Sequence, residues 1–251
     1  MQAQNVQLDG AIDAIRLRFG SQALTRAAEL PPPLPWRSGT PIDALTGIGG
    51  LPRGRLSLLT GSGTCGKLSL ALALLANATH EFAHATVIDG GGFDPWNLLP
   101  FYPELGALTV VRAPAPEIAG ESAAALARAG AGFVLLLCDV PEHWLGPLES
   151  GANRSGTVLV GVVDAPGRAL AHASSFSLAL SRTEWTWERG QLVGIRVDAR
   201  CVKNRVAPPL GETGLEIRYP LGARPPADHR VQIAEVPLHM REVASCESAV
   251  V

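Results

Sequence analysis

One stretch limits the folds open to this chain more than any other: LTGSGTCGKLSLALALLA, residues 59–76. Gly61, Gly63, Gly66 and Lys67 fit the spacing G-x-x-x-x-G-K, with an apolar strand-like run before it and an Ala/Leu-rich run after it. That context is the one a phosphate-binding loop requires. Glycines let backbone amides turn toward an anion, the helix N-terminus favours negative charge, and the lysine reaches the terminal phosphates. The residue after the lysine is Leu68, where the pattern calls for Ser or Thr. A first-shell hydroxyl ligand of Mg²⁺ is thereby replaced by carbon. Ser69 sits one residue late, about 100° further around a helix, which makes it a poor substitute.

The rest of the chain is consistent with an α/β domain. From Leu56 on, short β-like runs alternate with helical ones: ATVIDG, LTVVRA, EIAGESAAALARAG, FVLLLCDV and TVLVGVVDA. Such alternation predicts βαβ units and a mostly parallel central sheet buried on both faces. The run 133–139 ends in a carboxylate, Asp139, as does a strand that orients Mg²⁺ through water; a plain strand ending in Asp gives the same letters. Beyond Phe176 the pattern becomes two long strands around a turn at Arg189-Gly190, with Ile195, Val197, Ala199 and Cys201 on one face. An antiparallel ribbon extending the sheet is expected, with TGLEIRYP as an added edge strand.

Composition narrows the functional classes. With 21 Lys and Arg against 23 Asp and Glu, the chain has no general electrostatic pull on nucleic acid or anionic membranes. Four dispersed cysteines, without a C-x-x-C pair, suggest neither zinc nor a disulfide framework, and no metal site is expected. No signal peptide and no apolar run of about 20 residues is seen, so a cytoplasmic protein is the expectation.

The predicted organisation is a helix-bearing oligomerisation segment over 1–30, a Pro-rich connector over 31–40, a core over 41–221 and a tail over 222–251. In AIDAIRLRFG, Ile12, Ile15 and Phe19 recur at helical spacing, and Gly20 stands where a C-cap would. The tail is too short for a domain and reads as disordered or as a strand that orders on a partner.

Several stretches, in order over about residues 10–220, resemble the RecA recombinase core. SGTPIDALTGIGGLPRGRLSLLTGSGTCGK is similar to the segment leading into that family's phosphate loop, VIDGGGFDP to the segment carrying its catalytic glutamate, and VKNR to its late interface segment. The resemblance implies a RecA-like core with a central sheet, and a protomer-linking N-terminal helix. It gives Lys203 and Arg205 a role at a neighbour's nucleotide, although a solvated basic strand end explains them equally. The departures are as informative. Gly90, Gly91 and Gly92 fill the loop of the water-activating glutamate, the two DNA-binding loop regions are cut down, and the strand ending before Asp164 lacks the glutamine that senses the γ-phosphate.

This pattern of loss resembles the ImuA family of translesion-mutagenesis accessory proteins. The resemblance implies no catalytic residues and no required cofactor, with ATP and Mg²⁺ binding doubtful. Implied partners are RecA, an ImuB-type polymerase relative, an error-prone DnaE-type polymerase and further copies of the chain, with little direct DNA binding. A DNA-dependent ATPase, an ATP sensor without turnover and an SOS cell-division inhibitor remain as alternatives. Trp185 and Trp187 alternate on one strand face, where sheet packing or a partner surface is favoured over base stacking.

Overall fold

The computed structural model describes residues 2–20, 34–208, 211–220 and 231–238. The chain divides into a unit Met1–Pro33 and a unit Leu34–Val251. In the first, helix α1 (Gln2–Phe19) is longer than the apolar spacing alone marks, and Gly20 follows it at φ +93°, as a C-cap glycine should. Ile12 is buried, whereas Ile15 and Phe19 are exposed. The rest of the expected 1–30 segment lies outside the described residues.

The second unit begins earlier than expected. Pro35–Trp36 (β1) pairs antiparallel with Leu51–Pro52 (β2), so part of the Pro-rich connector belongs to the core. Trp36 is fully buried against the rings of Phe82 and Phe133, and its indole N–H donates to Glu81 at 2.8 Å. Proline explains the misreading: Pro35 signals irregular backbone but sits in a two-residue strand.

The main sheet consists of β3 (Leu56–Thr60), β4 (Ala85–Asp89), β5 (Leu108–Arg112), β6 (Phe133–Leu137), β7 (Val158–Val163), β8 (Phe176–Glu188), β9 (Gln191–Asn204), β10 (Glu212–Arg218) and β11 (Gln232–Val236). Their spatial order is β11-β10-β9-β8-β3-β7-β6-β4-β5. All pairings from β8 through β5 are parallel, and those from β8 through β11 are antiparallel. The α/β sheet with its ribbon is thus as expected. The turn is also where it was read, with Arg189 at φ +50° and Gly190 at φ +78°. TGLEIRYP is not an edge strand, however, because β11 covers it. β11 comes from the segment expected to be a tail: Ile233 pairs Ile217, and Glu235 accepts from the Thr213 hydroxyl at 2.8 Å.

Strand alternation sorts the two faces. Leu59, Phe133 and Leu135 join Leu70, Leu74 and Leu75 of α2 (Lys67–Glu81) on one side. Leu56, Leu58, Val134 and Leu136 meet Ala119, Ala123 and Ala127 of α3 (Pro116–Ala129), with Leu145, Leu148 and Ala152 of α4 (Glu142–Ser155), on the other. Each large side chain buried this way contributes about 1.5–3 kcal/mol. α4 occupies the span expected to be a shortened loop, and α5 (Arg168–Ala173) occupies the second. Pro147 and two glycines, Gly146 and Gly151, hid α4, although Leu145, Leu148 and Ala152 carry a helical period.

Candidate functional site

The phosphate loop runs from the end of β3 into α2, and packing holds it in place. A Cβ at Gly61 would stand 2.3 Å from the Leu180 carbonyl oxygen and 2.7 Å from Cys65 Sγ, at a φ of +148°. At Gly66, φ +82°, it would stand 2.7 Å from Ile217 Cδ1 and 3.0 Å from Ile195 Cδ1. The ribbon therefore buttresses the loop, so these glycines answer to protein neighbours. Gly63, at φ +58°, meets nothing within 4 Å and owes its identity to backbone conformation alone.

Lys67 is held within its own chain. Its ammonium donates to the Gly61 carbonyl at 2.8 Å and the Gly63 carbonyl at 3.0 Å, and pairs with Asp164 Oδ1 at 2.7 Å. Asp164 follows β7, and its own carbonyl accepts from the Gly61 N–H at 3.2 Å. A second cation reaches the loop from β8: Arg182 Nη1 donates to the Thr64 carbonyl at 3.0 Å, while the guanidinium lies over the Trp185 ring at 4.2 Å. Sequence reading missed Asp164 and Arg182 as neighbours of the loop. No local spacing marks either, because each arrives from a strand more than ninety residues downstream.

The other candidates separate. Ser69 Oγ shares a hydrogen bond with the Tyr219 hydroxyl at 3.2 Å, which engages it beside the end of β10. Leu68 is 47% exposed and lines a cavity of about 490 Å³ with Leu72, Phe93, Val162, Cys138 and Asp139. Asp139 lies two residues past β6, exposed at this cavity. An apolar wall thus faces the cavity where the motif would supply a hydroxyl. Burial, reinforced by the charges of Asp139 and Asp89, pushes the Cys138 thiol up to about 11, so it stays protonated at neutral pH.

The glycine loop after β4 hangs from a buried carboxylate. Asp89 Oδ1 accepts from the amides of Gly92 and Phe93, each at 2.9 Å, and Oδ2 pairs with Arg112 of β5. Burial alone would push this carboxyl up, but the amides of Gly92, Gly91 and Phe93 and the Arg112 guanidinium hold it below its usual range. Asp89 therefore has a structural task at the point where the loop departs.

Lys203 is spent inside the chain. Its ammonium donates to the carbonyls of Ala171 and His172 at the end of α5 and to Ser174 Oγ, and burial followed by the nearby Arg205 charge lowers its pKa. Within this chain the Lys203 ammonium is turned to the end of α5. Arg205 remains exposed. Asn204 between them donates to the Thr46 carbonyl at 2.9 Å and accepts from the amides of Val206 and Ala207, which fixes the segment as a turn. Trp185 packs against the core cluster, and Trp187 is exposed.

Among the described residues no helix is long and apolar enough to cross a membrane. No protein-family model matches the chain. It is similar to Protein RecA of Thermus thermophilus, with 30% identity covering 88% of this chain and 78% of the relative. Protein RecA of Symbiobacterium thermophilum is 29% identical over 88% and 75% of the two chains, and that of Cutibacterium acnes 29% over 82% and 69%.

Proposed function

The chain belongs to the RecA family, and from that premise we propose that it is a catalytically silent member, an accessory protein of ImuA type that acts through protein contacts in translesion DNA synthesis. The observation that carries this reading is Leu68. It puts an apolar, half-exposed side chain on the cavity wall where a metal-binding hydroxyl belongs, beside a Gly90–Gly92 loop with no base for water. Two further features support it: the two DNA-loop regions of the resemblance hold helices, α4 and the six-residue α5, and the chain's net charge is −2.

In this reading the partners are RecA itself, polymerase-related proteins of the ImuB and DnaE types, and further copies of the chain. The exposed Ile15 and Phe19 of α1 are the contact side chains. Burying two such side chains contributes about 1.5–3 kcal/mol each before ordering costs. Titration of labelled RecA with the wild type and with Ile15→Asp tests the adaptor. Loss of binding in a variant with unchanged circular dichroism is the expected result, and undiminished binding sinks the contact.

A second reading, a DNA-dependent ATPase with rearranged ligands, draws on the retained Lys67 and Asp139. Hydrolysis assays with ATP, Mg²⁺ and single-stranded DNA separate the two. We expect no turnover in the wild type or in Leu68→Thr. Turnover that rises with DNA and disappears in Lys67→Ala would establish the ATPase.

A further inference from the structure

A lysine ammonium has three N–H donors, and all three of Lys67 have acceptors: Gly61 O, Gly63 O and Asp164 Oδ1. Two of these acceptors belong to the loop and accompany it. The third is a full negative charge delivered by the strand next to β3, on a side chain that is 74% exposed, while the lysine side chain is only 14% exposed. An incoming phosphate oxygen would have to take the place of Asp164. The displaced carboxylate would stay close, because the Asp164 backbone is bonded to Gly61. The helix N-terminus and the lysine attract an anion, and this chain supplies one from its own sequence.

We propose that Asp164 is an internal counter-anion that closes the phosphate loop against polyphosphates. This rests on the reading of the loop as nucleotide-silent, and it gives that silence a cause separate from the lost metal ligand. Within the chain, a carboxylate meets the lysine and glycine packing holds the loop backbone. An exposed carboxylate is also a screened one, so the closure weakens with ionic strength.

The test is isothermal titration of pyrophosphate, and separately of ATP without metal, into the wild type, Asp164→Asn, Lys67→Ala and the double variant Asp164→Asn/Lys67→Ala. Asp164→Asn keeps the size and the backbone bond but removes the charge. We expect at least a tenfold gain in affinity over wild type at low salt, a smaller gain at about 0.5 M salt where screening is short-ranged, and loss of the gain in the double variant. Equal affinity of wild type and Asp164→Asn overturns the proposal, as does a gain that survives removal of Lys67. Circular dichroism establishes that each variant is folded. Failure of the silent reading itself looks different: the wild type would hydrolyse ATP, whatever Asp164→Asn does to pyrophosphate.

Discussion

Two glycine-rich loops leave the same edge of the sheet, one after β3 and one after β4, and they keep their glycines for different reasons. In the phosphate loop, Gly61 and Gly66 are pressed by the Leu180 carbonyl and by Ile217, Ile195 and Val197, at positive φ. In the loop after β4, Gly91 has φ +127° with open space around it, and Gly92 has neither a positive φ nor a neighbour within 4 Å of a Cβ. The first loop is dictated by the packing of the fold. The second hangs from one carboxylate: Gly91 answers to its backbone conformation, a Cβ at Gly90 would stand 3.3 Å from Cys138 Cβ, and Gly92 is open to substitution. Packing alone would thus preserve the phosphate loop in a nucleotide-silent chain of the kind proposed, since replacing those glycines would damage the protein itself.

Gly61→Ala gives the largest effect on this comparison. It combines a backbone clash at 2.3 Å with a φ that L-residues rarely adopt, at a cost of about 3–5 kcal/mol from overpacking and strain together. Urea unfolding of the unliganded protein should show this loss in full. A loss under 1 kcal/mol would mean that the loop yields easily and that packing does not preserve it.

Asp89→Asn comes next and probes the anchor of the second loop. The side chain is buried and accepts two amides and a guanidinium, so loss of its charge costs about 1–3 kcal/mol. The pH dependence follows from the lowered pKa. Between the folded value and the ordinary carboxylate value near 3.9, the unfolded chain binds more protons than the folded one, so stability rises with pH there. The contribution is complete above that window and is lost as pH falls through the folded value. Stability measured from pH 6 to below 4 should therefore fall more steeply in the wild type than in Asp89→Asn; parallel curves would remove Asp89 as the anchor.

What could be read from sequence and what could not divides along similar lines. The strand, loop and helix of residues 56–81 were legible because motif, period and flanks agree within one short window. The hairpin was legible because Arg189-Gly190 separates two alternating runs. The salt bridge of Lys67 to Asp164, the contact of Arg182 with Thr64 and the burial of Asp89 against Arg112 were not, since each joins residues brought together only by strand order. Lys203 shows the same limit from the other side. Its letters match a family position that reaches toward a neighbour, and only the approach of its ammonium to the end of α5 shows that its donors are engaged within the chain.

The smallest effect expected is at Gly92, and it sharpens the comparison most. The Gly92 amide, which donates to Asp89, is retained by any residue except proline, and nothing crowds an added Cβ. Gly92→Ala should therefore be neutral, or stabilising by up to about 1 kcal/mol through a less flexible unfolded chain. Gly92→Glu asks the functional question at the same place, because it restores a carboxylate to a loop that lines the cavity beside Leu68. It should fold as well as the wild type and still not hydrolyse ATP, since a base without a bound metal and an open phosphate loop has no positioned water to activate. Turnover in Gly92→Glu alone would mean that a hydroxyl at position 68 is dispensable and that the second loop, not the first, is where this chain lost its chemistry.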